Sequence, residues 1–345
     1  MKHLASCWAG LLLCAAAPFA LAANTWTVTS TGSGGACTSN STADANCTLD
    51  VALADAGNGD TIHFSASVQG QTIVGNFGIA TGLTIDASPN GVVLDGGGSY
   101  TVVYVASGLV TLSHLTIQHG QGSNSGGGIY NLDANLTVDS CTVANNNAGS
   151  AGAGIYTNGS TTTAIINSTL ASNTGVVGSG IYAIGDLVIA NSTVTGNSAS
   201  GGYGGGVFAG SSFTLTSSII AGNAGSGAPD IDSTGTISLG YNIVGNLGTF
   251  SGLGAPATGD RFNIDPLFVA AGLANNGGAT PTVALQSLSP ARSSGNCAGN
   301  DGSNGFAVIP AVMIDQIGHA RTLPGAIGCT VGAFDMTSIF YNGFE

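Results

Sequence analysis

Apolar residues recur through the middle of the chain in short alternating runs. Five segments share the order apolar, x, apolar, x, x, small, x, apolar, with single exchanges: VTLSHLTIQHG, LTVDSCTVANN, TAIINSTLASN, LVIANSTVTGN and FTLTSSIIAGN. Alternation with a period of two predicts strands whose alternate side chains point inward. The three-residue step inside each segment predicts a bend between two strands.

Glycine-rich motifs punctuate these runs. GGGIY, GAGIY, GSGIY and GGGVF follow one another in steps of 26 residues, and the glycines predict corners with positive φ. Each repeat is then strand, bend, strand, turn, strand, turn. One repeat buries no core by itself, whereas stacked repeats bury a continuous one. We therefore predict an all-β, right-handed parallel β-helix (solenoid) of about seven or more coils, rising about 4.8 Å per coil.

The repeat also predicts the domain boundaries. We expect the coils at residues 81–250, an N-terminal cap at 23–80, and a C-terminal cap or extension with a short terminal tail at 251–345. Within the N-terminal cap, residues 49–54 favour a short helix and DTIHF favours a strand. A solenoid needs such caps because its end coils expose unpaired strand edges.

Two sets of equivalent side chains follow from the repeat. We expect an inward ladder of asparagines that satisfies backbone groups in the turns: Asn146, Asn173, Asn197 and Asn223, with Gly120 in the first position. The other set is aromatic, and its members are the ligand-binding candidates: Tyr104, Tyr130, Tyr156, Tyr182 and Phe208. If these rings faced solvent as a flat surface about 20 Å long, sugars or proteins could stack on it. The alternative is a stack that only stabilises the sheet.

The charge of the chain limits the classes of partner that it can bind. The formal net charge is −13, and the only cationic side chains are Lys2, Arg261, Arg292 and Arg321. Such a chain lacks the basic surface that neutralises phosphates, so nucleic acid and anionic membranes are disfavoured partners. The absence of Lys and Arg between Ala22 and Arg261 also argues against a lyase acting on an acidic sugar.

The first 22 residues predict a secretory signal peptide cleaved after Ala22, which implies a secreted or outer-surface location. No later segment is long and apolar enough to predict a transmembrane helix.

Oxidising conditions favour disulfides, and the sequence-near pairings are Cys37–Cys47 and Cys297–Cys329, leaving Cys141 as a buried thiol. No metal site or other cofactor is expected. Calcium in the turns is an open alternative without a specific signal.

Catalytic residues are not indicated. A hydrolase needs two carboxylates at a defined separation. Asp230 and Asp232 are the one close pair and the weak candidates if the protein is an enzyme. Asp139 finds no aspartate at the equivalent positions Ser113, Ile166, Ala190 and Thr216, and Asp86 and Asp95 form only a loose pair. The histidines at 63, 114 and 119 show no partner at a recognisable spacing.

Several stretches resemble known families. CTLDVA at residues 47–52, followed by GDTIHF and GQTIV, resembles the entry domain named for a C-S-L-R-E-A motif, although the charged positions differ. The repeats resemble those of polymorphic outer-membrane proteins and other adhesin-like β-helices. The string DPLF…LANNGGATPT…SPA…GAFD is similar to the choice-of-anchor Q region of bacterial surface proteins, and IFYNGFE to a terminal tail of exported Gram-negative proteins. The resemblance implies a bacterial surface protein and no catalytic residues.

The functional expectation is therefore a secreted or cell-surface β-helix protein without catalytic activity, adhesin-like, binding a cell-surface glycan or protein. The alternatives are a polysaccharide-active hydrolase or lyase and a structural spacer. A convergent group of acids on one face would favour the enzyme, and an uninterrupted Ser/Thr/Asn face would favour binding.

Overall fold

The computed structural model describes residues 22–201, 203–250, 252–253, 255–292, 294–295, 314–321 and 330–333. The signal peptide, Cys297, Cys329 and the terminal tail beyond residue 333 lie outside this part of the chain, except for Ala22.

One short helix and a long series of strands make up the described chain. The first elements are β1 (Thr25–Val28), α1 (Leu49–Asp55), β2 (Thr61–Phe64), β3 (Thr72–Val74), β4 (Phe77–Ile79), β5 (Thr84–Asp86), β6 (Val92–Asp95), β7 (Val103–Ser113), β8 (Leu115–Gln118), β9 (Gln121–Gly122), β10 (Ile129–Asp139), β11 (Thr142–Ala144), β12 (Asn147–Ala148) and β13 (Ile155–Thr157). The later ones are β14 (Thr162–Ile166), β15 (Thr169–Ala171), β16 (Thr174–Gly175), β17 (Ile181–Ala183), β18 (Asp186–Ala190), β19 (Thr193–Thr195), β20 (Ser198–Ala199), β21 (Val207–Thr216), β22 (Ile219–Ile220), β23 (Ile231–Ser238), β24 (Ile243–Val244), β25 (Arg261–Phe262), β26 (Phe268–Ala274) and β27 (Thr282–Leu285).

The strands up to β25 stack into three parallel sheets that run along the axis of a solenoid, while β26 and β27 form a separate antiparallel pair. Sheet 1 begins with β1, β2 and β5 and continues through β7 and β10 to β21 and β23, and in two coils its path is split between β13 and β14 or between β17 and β18. Sheet 2 runs in the order β3-β6-β8-β11-β15-β19-β22-β24-β25, and sheet 3 in the order β9-β12-β16-β20. About seven turns result, as the repeat predicts.

A left-handed residue marks each corner of the coil. The corner between sheets 1 and 2 holds φ angles of 46–56° at His114, Ser140, Asn167, Asn191 and Ser217. The corner between sheets 2 and 3 holds φ angles of 52–72° at His119, Asn145, Ser172, Gly196 and Gly222. Asparagine and glycine tolerate this region at low cost, which explains their frequency at these positions.

The glycine-rich corner uses its glycines for two reasons. Only the first glycine of GGGIY, Gly126, has a positive φ, at 66°. The second and third are needed because neighbouring atoms approach closely. A Cβ on Gly127 would lie 2.2 Å from the carbonyl oxygen of Asn147, and a Cβ on Gly128 would lie 2.8 Å from the side-chain Nδ2 of Asn146. The expected positive φ is therefore correct for one of the three residues.

The asparagine ladder forms as predicted. The backbone N–H of Asn146, Asn173 and Asn197 each donates to Oδ1 of the asparagine in the following coil, at 3.0 Å in every case. Each side-chain Nδ2 also donates to a carbonyl of the preceding coil: to Ile117 from Asn146, at 3.0 Å. The ladder therefore satisfies polar groups that lie inside the solenoid, where water cannot reach them.

A second ladder lines the other corner. The backbone N–H of Cys141 donates to Oγ of Ser168, that of Ser168 to Oγ of Ser192, and that of Ser192 to Oγ of Ser218, at 3.0–3.2 Å. Cys141 itself accepts a hydrogen bond from the N–H of Leu115 through Sγ, at 3.4 Å. The buried thiol expected at Cys141 therefore occupies a position that serine takes in the next coils.

The N-terminal region is already part of the solenoid. β1 pairs with β2 and β2 with β5 in parallel register, so sheet 1 begins at Thr25. The helix predicted here is α1, which packs beside β1 and β4 with Leu49, Ala52 and Leu53 buried. A disulfide joins Cys37 to Cys47, as predicted, and ties down the loop that leads into α1.

The C-terminal region folds back along the side of the solenoid. Phe250, Leu253 and Phe262 first cover the last coil of the core. Later residues lie on the outer face of sheet 2, where Gln316 donates to the carbonyl oxygen of Cys141 at 2.9 Å and accepts from Thr169 at 2.6 Å. The described C-terminal segments therefore shield a sheet face as well as an end.

We predict that Asn146→Ala lowers the free energy of unfolding by roughly 2–4 kcal/mol. The substitution removes the acceptor of the Gly120 N–H and the donor to Ile117, both of which are buried. Urea unfolding followed by circular dichroism measures the change. The matched control is Asn147→Ala, because Asn147 is the exposed neighbour and its side chain bonds the side chain of Gln121. For this control we expect the free energy of unfolding to fall by less than about 0.5 kcal/mol. Equal losses would contradict a structural role for the ladder.

Candidate functional site

The aromatic column, Tyr104, Tyr130, Tyr156, Tyr182 and Phe208, lies on sheet 1 in the predicted register. Successive ring centroids are 4.5–5.5 Å apart, and three of the four pairs are stacked with interplanar angles of 6–16°. Each ring therefore covers a face of the next, and mainly ring edges point to solvent. The column is therefore a stack of rings, as in the alternative that the sequence left open, and it offers few of the open ring faces on which a sugar stacks.

A groove runs beside the column and supplies an open ring. A hollow of about 380 Å³ lies against Tyr156, Tyr182 and Phe208 and is bounded by Tyr203. A second hollow of about 260 Å³ also contacts Tyr203 and continues past Asp232 to Thr249. We call the two together the aromatic groove. Tyr203 is 58% exposed, so its ring is available to a ligand. No sequence signal marked it, because the equivalent residues of the preceding repeats are not aromatic: they are Ser125, Ala151 and Val177.

Asp232 lies at the end of the aromatic column. β21 and β23 pair so that Asp232 is the partner of Phe208, one coil further along the axis. Burial raises the pKa of its carboxyl group. The sequence-predicted candidate Asp232 therefore shares one groove with three of the five aromatic candidates, Tyr156, Tyr182 and Phe208.

Asp230 does not join that groove. It is fully buried and occupies the position that Gly206 holds in the preceding coil. Its Oδ1 accepts both the backbone N–H and the Nδ2 of Asn223, at 3.0 and 2.8 Å, and its Oδ2 accepts the N–H of Asn246. Asp230 therefore ends the asparagine ladder, and the structure does not bring it together with Asp232, the other weak catalytic candidate.

The histidines do have partners, contrary to the sequence analysis. Nδ1 of His114 lies 3.0 Å from Oδ1 of Asp86, and Nδ1 of His63 lies 3.9 Å from Oδ2 of the same carboxylate. His119 pairs separately with Asp95, at 2.8 Å. Asp86 therefore lies on sheet 1 beside His63 and His114, whereas Asp95 lies on sheet 2 beside His119.

An aspartate does share the position of Asp139. β5 and β10 both pair with β7, and Asp86 and Asp139 are both register partners of Ser113. The two lie two coils apart, roughly 9.6 Å along the axis. The sequence carried this signal, since LTID at residues 83–86 matches LTVD at residues 136–139.

Two features are absent from the described part of the chain. It holds no group of three or more His, Cys, Asp or Glu side chains that could bind a metal ion. Nor do its helices include one with the length and apolar character to cross a bilayer. The thiol of Cys141 is buried, and burial raises its pKa, so it is a poor nucleophile.

We predict that Asp230 makes unfolding depend on pH. Burial raises the pKa of its carboxyl above the ordinary 3.8 despite three hydrogen bonds, so the folded protein holds this proton more tightly than the unfolded chain. The contribution of Asp230 to stability therefore falls as pH rises from 3.8 through the raised value, by about 1.4 kcal/mol per pKa unit.

Urea unfolding between pH 3 and pH 7 tests this. The stability of the native protein minus that of Asp230→Asn should fall as pH rises. The matched control is Asp133→Asn, which removes an exposed carboxylate. A fall of the same size for the control would mean that the effect does not come from the burial of Asp230. A difference that rises with pH for Asp230→Asn would mean that the hydrogen bonds outweigh burial.

Comparison with known proteins agrees with this architecture. The family model described as a right-handed beta helix region matches residues 73–247, just over half of the 345-residue chain. No curated protein and no solved structure shows significant similarity to the chain. The matched range covers the strands from β3 to the end of the regular coils, including the aromatic column and both ladders. The chain therefore belongs to the right-handed beta helix family.

Proposed function

We propose that the protein is exported and acts at a cell surface by binding neutral saccharide chains in the aromatic groove, without cleaving them. The observation that carries the proposal is Tyr203, an exposed ring facing a row of aromatic edges across an open groove. The apolar face of a sugar ring stacks on such an aromatic side chain, and the sugar hydroxyls reach polar groups at its rim.

The groove offers these polar groups along its length. Ser125 and Ser150 lie at one end, and Asp232, Ser233 and Thr249 at the other. From Tyr156 to Asp232 the groove spans three coil steps, roughly 14 Å, which suits an oligosaccharide rather than a single sugar. A carboxylate and several hydroxyls give both acceptors and donors for hydroxyl groups.

The net charge of the chain supports a neutral ligand, and its N-terminal sequence supports export. The net charge of −13 disfavours polyanionic chains, so the proposed ligand is neutral. The signal-like N-terminus and the Cys37–Cys47 disulfide support export to an oxidising compartment. The resemblance to surface β-helices supports a position at the cell surface, through an attachment that the proposal leaves unspecified.

Hydrolysis in this groove is the competing hypothesis. The usual mechanism requires two carboxylates that flank the scissile bond. Asp232 lines the groove, whereas its sequence neighbour Asp230 lies inside the solenoid with both oxygens hydrogen-bonded. The proposal is therefore a binding protein, and product release is the observation that would overturn it.

We predict that Tyr203→Ala lowers retention on an array of neutral oligosaccharides about tenfold, the equivalent of about 1.4 kcal/mol. The purified chain from residue 23 is applied to the array, and the same wells are assayed for released sugars. The matched control is Tyr100→Ala, because Tyr100 is 59% exposed, as Tyr203 is at 58%, but lies outside the groove.

Retention that survives Tyr100→Ala and falls with Tyr203→Ala supports the proposal. Equal losses in the two variants would indicate nonspecific aromatic contacts. Released oligosaccharide would replace the binding function by an enzymatic one. A protein that retains no saccharide at all would leave a protein partner or a spacer role as the explanation of the fold.

A further inference from the structure

Another cavity lies at the opposite edge of sheet 1 from the aromatic groove, at the corner shared with sheet 2. Its volume is about 590 Å³, and we call it the corner cleft. The coils contribute Ser88, Pro89, His114, Asp139, Ser140, Ile166 and Asn167 to its walls, and the C-terminal region contributes Ala279 and residues 314–318.

The C-terminal wall of the cleft is fixed to the coils. Nε2 of Gln316 donates to the carbonyl oxygen of Cys141 and to Oγ1 of Thr142, both at 2.9 Å. Nη2 of the buried Arg321 donates to Oδ1 of Asn167 at 2.6 Å. The cleft is therefore held between two anchored surfaces.

His114 presents a hydrogen-bond acceptor to this cleft. The hydrogen bond to His114, together with those from Ser88 and Ser113, holds the pKa of Asp86 well below its usual range. An ionised carboxylate can only accept, so the hydrogen at this contact belongs to Nδ1. In the neutral imidazole the other nitrogen, Nε2, then carries a lone pair, and it has no hydrogen-bond partner among the described residues.

Asp139 presents a second acceptor. Its Oδ1 accepts the hydroxyl of Ser140 at 3.0 Å, while Oδ2 receives no hydrogen bond from the described residues. Burial raises the pKa of this carboxyl group. His114 and Asp139 are neighbours across adjacent coils, since the N–H of His114 donates to the carbonyl oxygen of Asp139 at 3.2 Å.

The nearby donors are already engaged. Nδ2 of Asn167 donates to Oγ of Ser140 at 3.1 Å, and that hydroxyl in turn donates to Asp139. The amide of Gln316 and the guanidinium of Arg321 bond the groups that anchor the C-terminal wall. The cleft thus offers acceptors and few donors, and its ligand must bring hydrogen-bond donors of its own.

The other walls are apolar. Pro89, Ile166, Ile314 and Ile317 line the cleft around the two acceptors. Asp139 forms no ion pair with the described residues. A partly buried carboxylate in that position is best compensated by a charged donor, and hydrocarbon walls suit an alkyl chain. A net charge of −13 also attracts cations to the protein.

We propose that the corner cleft binds a primary ammonium group on an aliphatic stem, with Asp139 as its counter-ion and Nε2 of His114 as its second acceptor. Asp86 is a positioning residue, because it fixes the orientation and tautomer of His114. Two sources share this chemistry: a free alkylamine and a lysine side chain of a partner protein. The site is separate from the aromatic groove and does not depend on saccharide binding.

Affinity should fall as pH falls. Burial raises the pKa of Asp139, so its carboxylate loses its charge at a higher pH than an exposed aspartate, and the ammonium loses its counter-ion. The other ionisable groups around the cleft are His63 and Asp86 on the coils, and Asp315, His319 and Arg321 on the C-terminal segment. Binding of a cation stabilises the ionised form of Asp139, so it also releases protons at acidic pH.

Isothermal titration of the full mature chain with 1-butylamine, and with 1-butanol as the uncharged analogue, tests the proposal at pH 7 and pH 5. We expect saturable binding of the ammonium at least tenfold tighter than that of the alcohol, and weaker at pH 5. Asp139→Asn should reduce the affinity at least tenfold. His114→Asn should reduce it severalfold, and asparagine tolerates the φ of 56° at this corner.

The control is Asp133→Asn, which removes an exposed carboxylate from the same strand, β10. Equal losses in the Asp133 and Asp139 variants would reduce the effect to general surface charge and overturn the site. Equal affinity for alcohol and amine, or no binding of either, would overturn it as well. Thermal unfolding of each variant checks that it is folded.

A further arm separates the two sources. Cadaverine is compared with a short peptide that carries one central lysine. Tighter binding of the peptide assigns the site to a protein partner, and tighter binding of cadaverine assigns it to free amines. Tyr203→Ala should leave both affinities unchanged, so failure of the amine site and failure of saccharide binding are distinguishable.

Discussion

The backbone N–H groups at the inner corners of the solenoid impose the constraint on which the whole structure depends. They lie in a water-free interior and point along the axis, so each must find an acceptor in a neighbouring coil. Asparagine and serine side chains supply these acceptors, in two ladders that run from coil to coil. The ladders lock the register of every coil to the next, and all surface columns inherit that register.

The ends of the ladders follow the same rule. Where the asparagines stop, the carboxylate of Asp230 accepts from Asn223, and where the serines stop, Asn242 and then Asp260 continue the series. An ionised carboxylate suits a terminal position because its two oxygens accept several hydrogen bonds. It also carries no hydrogen that would need an acceptor in a further coil. Asp230, a candidate catalytic residue in the sequence, is therefore explained by its place at the end of a ladder.

The regular part of the fold could be predicted from the sequence because each local signal repeats. The asparagine ladder and the aromatic register both followed from the spacing of the repeats. Helix α1 followed from the local sequence of residues 49–54. The orientation of the aromatic rings did not, since spacing places a side chain in a column but leaves its torsion angles open. The corner cleft was missed for another reason: Gln316 bonds Cys141 across 175 positions, and no period connects the C-terminal region to sheet 2. The match between LTID and LTVD was visible, and would have placed Asp86 beside the Asp139 position.

The folded-back C-terminal segment changes how mechanical force enters the molecule. Ala333 bonds Thr193 and Gly332 bonds Ser217, so tension applied at the C-terminal end of the described chain loads coils in the body of the solenoid. The last coils, around β23 to β25, are bypassed. Force cannot strip the solenoid one coil at a time from that end until the segment detaches. For a protein proposed to hold a ligand at a cell surface, this attachment acts as a shear clamp that protects the coils of the aromatic groove from peeling.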